Sequence, residues 1–295
     1  MEQWYGKYNR LLFKLAYQLT GSASDAEDVL QDVFLKIYDV PPEQVEHPKA
    51  YLCKMVTNRC KDLQKSAMKK REIYYGEWLP EPFLSSGDEQ SIEQVVKDDL
   101  LSYAMLVLLE RLSPSERAVF VLREALGFEY HEVGELIDKS EQNCRKLLSR
   151  ARTKMGIAPD EPIHSEEASH KWVANFMGAL KKGDLNQIKS MLAQDVVLVS
   201  DGGGKVTASY LPVETRELVA QLLLGRLRQA SMVKGNARIE IVQVNGVPAL
   251  IFGSAEGVHS VAMIHVEGGK AQKLHVVRNP DKLQRFRAFP VFGVS

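Results

Sequence analysis

EYHEVGELIDKSEQNCRKLLSRARTK, residues 129–154, is the stretch that decides the reading. Val133, Leu136 and Ile137 recur at helical spacing and give Glu129–Ile137 one apolar face. Asp138-Lys139-Ser140 has the composition of a tight turn, and Ser140 is a helix cap. Behind it Cys144, Leu147, Leu148 and Ala151 return at helical spacing, so a second, basic helix runs over Glu141–Met155. Two short helices joined by about three residues, the second basic, form the unit that reads the major groove. Gln142, Asn143, Arg145, Lys146 and Ser149 fall on its outer side. Amide and guanidinium side chains can make paired hydrogen bonds to base edges. Arg150, Arg152 and Lys154 suit phosphates. A solvated basic face on an ordinary helical hairpin has the same pattern, so the flanking sequence has to decide.

Upstream, Ser113-Pro114-Ser115-Glu116 starts a helix that Gly127 closes: serine cap, proline in the first turn, glutamate at the third position. The chain up to Arg71 is helical too. Leu11, Leu12, Leu15, Ala16 and Leu19 form one stripe, which Gly21 ends. Ser24-Asp25-Ala26-Glu27 has the form of a capping box ahead of Val29, Leu30, Val33, Phe34 and Ile37. Pro41-Pro42 breaks that helix, and a third begins after Pro48.

The formal net charge is zero, but the charge is unevenly placed. Leu52–Arg71 holds seven Lys/Arg and one acid, and Glu72–Asp99 holds eight acids and one Lys. The basic strip interleaves Leu52, Met55, Val56 and Leu63 with Asn58, Arg59, Lys61, Lys65, Lys69, Lys70 and Arg71, with Tyr51 and Tyr74 nearby. Cations beside aromatics suit melted DNA, whose bases leave the stack, although a solvated amphipathic helix would look alike. Val45–Lys49, held extended before Pro48, is a candidate pocket for one flipped base. Glu72–Asp99, with Pro80, Pro82, Ser85, Ser86 and Gly87, has linker composition, as does Gly156–Glu166.

Beyond it, helices at about Ser169–Lys181 and Leu185–Ala193 precede a strand, Val196–Ser200. After a glycine-rich turn comes a helix at about Val213–Gln229. Four strand-like runs then follow, with Asn245-Gly246 and Gly268-Gly269 as hairpin turns. This is an α+β layout. Asp201-Gly202-Gly203-Gly204-Lys205 is a turn and not a phosphate loop, because Val206-Thr207-Ala208 is extended instead of opening a helix. Cys53, Cys60 and Cys144 have no metal-ligand spacing, and the first two, seven residues apart on one helix, cannot bridge. Reduced cysteines and an N-terminus without a signal-peptide core imply a cytoplasmic chain.

In order and spacing these parts resemble the extracytoplasmic-function sigma factors of bacterial RNA polymerase. Thr20–Phe34 resembles that family's polymerase-clamp-binding helix, and Pro48–Leu52 through Asn58–Asp62 its minus-ten-reading element. Leu112–Arg117 with the basic helix resembles its second DNA-binding domain. Trp78-Leu79-Pro80-Glu81-Pro82, Asp201–Lys205 and Asn279-Pro280-Asp281-Lys282-Leu283 look like the signature motifs of the subclass with a SnoaL-like extension. The resemblance implies a multidomain fold: two all-α DNA- and polymerase-binding domains, the second a helix-turn-helix, then an α+β cone-shaped SnoaL-like domain. Its divisions are sigma domain 2 at 1–72, an acidic linker at 73–98, sigma domain 4 at 99–156, a linker at 157–166, the SnoaL-like domain at 167–283 and a tail at 284–295.

The partners so implied are core RNA polymerase and promoter DNA, with no membrane, no separate anti-sigma protein and an unknown small ligand in the cone's cavity. Asp28, Gln31, Asp32 and Leu35 would meet polymerase. His47, Lys49, Asn58, Arg59, Lys61 and Lys65 would read a CGTC-like downstream element. Gln142, Asn143, Arg145, Lys146, Arg150 and Arg152 would read a TGTCA-like upstream one. Gly202, Gly203, Gly204 and the other residues of the three signature motifs would regulate activity. No cofactor, metal or catalytic set is expected. Asp195, Asp201, Tyr210, His259, His265 and His275 are the residues that cone-fold enzymes would use, and no nucleophile–base pair is legible among them. A one-component regulator with a ligand-sensing domain and a cone-fold enzyme tethered to a DNA-binding module are the competing readings. The first needs no polymerase-binding helix and no strip for melted DNA, and the missing catalytic pair weakens the second.

Overall fold

The computed structural model describes residues 2–38, 40–71, 74, 76–84, 101–158, 168–209, 211–234, 238–254 and 257–286, with backbone alone at 2, 3, 42, 66–71 and 229–234. Most of the acidic linker, the second linker after residue 158, Tyr210 and the tail beyond Phe286 therefore lie outside the described residues. The chain forms two compact units: residues 1–72 with 87–164, and 73–86 with 165–295. The first unit thus contains both helical segments, and the start of the acidic linker belongs to the second.

In the first unit, helix α1 (Glu2–Thr20) ends where Gly21 adopts φ +71°. Two of its orphan terminal carbonyls are taken by side chains from elsewhere: Arg117 Nε donates to Gln18 O at 3.1 Å, and Gln64 Nε2 donates to Leu19 O. Helix α2 (Ala23–Lys36) is capped by Ser22, whose Oγ accepts from Asp25 N at 3.1 Å. The expected box at Ser24 is corrected: with only two residues between the helices, Ser22 alone has the extended backbone that a cap needs, and Ser24 is already in the helix. Helix α3 (Pro48–Arg71) starts on its proline. Helix α4 spans Tyr103–Leu109, and α5 spans Pro114–Phe120 behind a complete Ser113/Glu116 capping box. The α5 pattern does not run regularly to Gly127: Val121–Ala125 is a π turn, and only then does Gly127 turn the chain, at φ +69°. Helices α6 (Tyr130–Ile137) and α7 (Glu141–Met155) are the last described elements of the unit. Helix α3 packs against α1 and α2 and also against α5 and α6. Arg117, 3% exposed, ties the two segments together by holding Gln18 O while pairing with Glu110 at 2.6 Å.

The second unit has α8 (His170–Lys182), α9 (Leu185–Met191) and α10 (Arg216–Lys234), with strands β1 (Leu192–Asp201), β2 (Val213–Glu214), β3 (Arg238–Val244), β4 (Val247–Ser254), β5 (Gly257–Glu267) and β6 (Lys270–Val277). The described sheet runs β2-β1-β6-β5-β4-β3. Strands β3–β6 are the expected meander, and β1 joins it parallel to β6. The helix expected from Val213 starts only at Arg216, because Val213 and Glu214 pair with Leu198 and Val197 as an edge strand. Asn245-Gly246 takes φ +53° and +83°, and Gly268-Gly269 +56° and +75°. Positive φ at both central residues gives the turn twist that suits a hairpin. Val173, Phe176, Ile188, Leu198, Val219, Leu250 and Leu274 join helices and sheet in one core.

His275 lies inside β6, opposite Val199 and Met263, and is 4% exposed. Burial, and secondarily Lys273 and His265, push its pKa down to about 3. The unfolded chain takes up this proton near pH 6.5, whereas the folded chain does not, so stability is full above that pH and falls as pH drops toward 3. Calorimetry at pH 5 against pH 7 should show the second unit weaker by about 1–2 kcal/mol from this group. In a folded His275→Gln variant this part of the slope should vanish, and an unchanged slope would refute the assignment.

Candidate functional site

The helix-turn-helix is built as its residue types dictate. Asp138 makes the turn in the left-handed region at φ +56°, and Ser140 Oγ caps α7 by accepting from Asn143 N. A Cβ at Gly134 would run into the Lys139 carbonyl, so the turn closes onto α6 only because that position is glycine. Val133, Leu136, Ile137, Cys144, Leu148 and Ala151 are buried, and Leu147 is half-buried. Gln142, Asn143, Arg145, Lys146 and Arg150 are exposed. The Arg145 guanidinium lies over the Tyr130 ring at 4.0 Å with Glu141 at 3.8 Å, which holds it near the N-terminal half of α7.

Arg152 and Lys154, expected to face phosphates, are both engaged with carboxylates in the DNA-free chain. Arg152 pairs with Glu124 at 2.8 Å and donates to Ala158 O, and Lys154 pairs with Glu116 at 2.7 Å. Arg152→Ala should therefore lower the stability of the first unit by about 1 kcal/mol, discounted for partial exposure, and leave the salt dependence of DNA binding unchanged. Melting curves and salt titrations distinguish this from a phosphate contact, which would flatten the salt slope with no change in melting.

Among the residues expected to meet the downstream element, His47, Lys49, Asn58 and Lys65 are exposed. Lys49 also lies over the Phe128 ring, 4.7 Å away. Arg59 pairs with Asp32 at 2.8 Å, linking the strip to the face expected to meet polymerase, where Asp28, Gln31 and Leu35 stay exposed. Lys54 pairs with Asp138 of the helix-turn-helix at 2.6 Å. Burial first, with Lys139 and Lys65 acting in the same sense, lowers the Lys61 pKa. The loop expected to hold a flipped base opens on a cleft of about 550 Å³, and α6 supplies Glu135 and Leu136 to its wall beside His47, Tyr51 and Lys54.

The three signature motifs come together in the second unit. Asp201, the last residue of β1, has no exposed surface. Its Oδ1 accepts from Tyr74 OH at 2.7 Å and from Gly203 N at 2.9 Å. Its Oδ2 accepts from Leu79 N at 3.0 Å and from Lys282 Nζ at 2.6 Å. Its main-chain oxygen takes Arg278 N and Asn279 N. Lys282 Nζ also donates to Leu79 O at 2.5 Å and lies 4.0 Å over the Trp78 ring. Asn279 Nδ2 donates to Tyr74 OH, and a Cβ at Gly203 would run into the Asn279 side chain. Lys205 pairs with Asp281. Leu79, Pro80, Glu81, Pro82 and Phe83 are buried. The tyrosine is held as a donor: burial, then its bond to Asp201, push the Tyr74 pKa up.

Sequence reasoning missed four members of this site. Tyr74 is one. Phe83 exchanges hydrogen bonds with Asn245, donating to Oδ1 at 3.1 Å and accepting from N at 2.8 Å. Asn245 was legible only as a turn former. Arg285 lies 3.5 Å from Glu81 and over the Phe83 ring. Tyr210 lies outside the described residues, and the described Asp and His candidates are spread over separate settings. Asp195 is exposed, Asp201 is spent on the linker, His275 is buried in the sheet, and His259 meets Ser254 at 2.7 Å. Among the described residues no group of three or more His, Cys, Asp or Glu could hold a metal, and no helix is long and apolar enough to cross a membrane.

Fold and site together define a multidomain helix-turn-helix protein with an α+β domain holding its own linker. Comparison with known proteins makes this specific. Residues 4–70 match the Sigma-70 region 2 family and 102–155 match Sigma-70, region 4. The chain is 32% identical over 285 residues to the ECF RNA polymerase sigma factor SigJ of Mycobacterium tuberculosis, covering 92% of this chain and 89% of that one. It is 29% identical over 282 residues to the probable ECF sigma factor SigI of the same organism, covering 94% and 92%. The crystal structure of M. tuberculosis SigJ superimposes with a TM-score of 0.78 at 29% identity, over 96% of this chain and 98% of that chain. The chain belongs to the ECF RNA polymerase sigma factor family. It binds core RNA polymerase and promoter DNA and directs promoter-specific transcription initiation. The reading as a one-component regulator is thereby set aside.

Proposed function

We propose that this sigma factor is held in a closed form by its own C-terminal domain, through the linker that Asp201 and Lys282 grip, with no separate anti-sigma protein needed. The observation that carries the reading is the coordination of Leu79 at both ends of its peptide, N–H by Asp201 and C=O by Lys282, in a buried setting. Independent support comes from the first unit. There Asp138 of the helix-turn-helix neutralises Lys54 of the basic strip, and α6 walls the cleft at the His47 loop. Both DNA-reading segments are packed on each other, so neither is free to take its own promoter element. Opening requires polymerase to bind the open form more tightly, by a few kcal/mol.

In this reading the exposed α2 face meets core polymerase, with Leu35, 65% exposed, as its apolar anchor. Leu35→Asp places a charge in that contact. Affinity for purified core enzyme, measured by fluorescence anisotropy, should fall about tenfold, or roughly 1.4 kcal/mol. Unchanged affinity would remove α2 from the interface. Gln142, Asn143, Arg145, Lys146 and Arg150 read the upstream element, and His47, Lys49, Asn58 and Lys65 meet the downstream one. Lys61, which faces Asp138 and Lys139, becomes available on opening. The chain works in the cytoplasm.

A further inference from the structure

One face of the sheet and helix α10 enclose a cavity of about 650 Å³. Strand alternation puts Leu198, Ser200, Phe252, Ser260, Ala262, Val276 and Arg278 on that face, and α10 adds Leu222, Leu223, Arg226 and Leu227. Most of the wall is apolar, yet three arginines line it: Arg226, Arg238 and Arg278. No Asp or Glu is among the described lining residues. Arg226 and Arg278 both donate to one neutral acceptor, the Thr207 carbonyl. Among the described residues, two guanidiniums with five donors each share one neutral carbonyl and meet no carboxylate in the cavity wall. Burial, then the neighbouring Arg226, lowers the Arg278 pKa to about 10, the direction expected where cations lack an anion. The size matches pockets that take small organic ligands.

We infer that this cavity binds a small amphipathic anion, a carboxylate with an apolar body, its head between Arg226 and Arg278 and its body against Leu198, Leu222, Phe252 and Val276. A guanidinium fork is the side chain best matched to a carboxylate's two oxygens. The cavity wall includes Pro280 and Leu283, from the same loop whose Asn279 and Lys282 hold the linker, so an occupant touches that loop directly. Binding itself does not depend on the linker being regulatory.

Isothermal titration calorimetry on the full chain at constant ionic strength tests the site, with 2-naphthoate and octanoate against 2-naphthalenemethanol and octan-1-ol. At least one carboxylate should bind ten times or more tighter than its matched alcohol. Arg226→Met and Arg278→Met, each checked by its melting curve, should lose that preference by tenfold or more. If Arg278→Met does not fold, Arg226→Met carries the test; both positions are half-buried. The inference is overturned if neither carboxylate binds at millimolar concentration. It is also overturned if the alcohols bind equally well, or if a folded methionine variant binds the carboxylate as the native chain does.

Discussion

Asp201→Ala should detach the linker and lower the unfolding free energy of the second unit by about 3–5 kcal/mol, the range for breaking a buried ion pair from one side. The size follows from what is left behind. Lys282 keeps a buried ammonium that has lost the Asp201 carboxylate, Leu79 loses the acceptor for its buried N–H, and Tyr74 loses the acceptor for its hydroxyl. Asp201→Asn should fall between: its amide oxygen can still accept from Leu79, but it cannot balance Lys282. Hydrogen exchange at the Leu79 amide gives the local readout, protected in the native chain and fast in the alanine variant. Calorimetry gives the global one. Equal protection and equal melting in all three proteins would mean that Asp201 does not hold the linker.

Arg145→Ala should weaken binding to the upstream promoter element by about 1–3 kcal/mol, roughly ten- to a hundredfold, and relax sequence preference there. The residue is exposed, so its loss creates no cavity, and its stacking on Tyr130 means that the arm is positioned before DNA arrives. Under the closed form proposed above, in which packing of the two helical segments competes with DNA, the effect is read in a chain freed from it. Competition assays on specific and scrambled duplexes distinguish base reading from charge. A uniform loss on both would make Arg145 a phosphate contact, and no loss would misplace the reading face.

Helices α6 and α7 were legible to within a residue because Asp138, Ser140 and the apolar stripe act over a few positions. The Asn245-Gly246 and Gly268-Gly269 hairpins were legible for the same reason. What stayed hidden is non-local. Strand β1 pairs with β6, some seventy residues later, and nothing in either run specifies a parallel partner. The inward turn of Arg152 depends on Glu124, and the pairing of Lys54 with Asp138 spans two segments that sequence treats as separate domains. The linker motifs were recognisable as a set, but Tyr74, Phe83 and Arg285 carry no local signature of being joined to it.

The most direct test is run-off transcription from one promoter with core polymerase at limiting sigma, comparing the full chain with one ending at Leu283. The shortened chain lacks Arg285, which meets Glu81 and Phe83, and Phe286, which is fully buried. A loosened linker predicts more transcript from the shortened chain at equal folded concentration. Equal promoter activity from the two proteins would contradict the account.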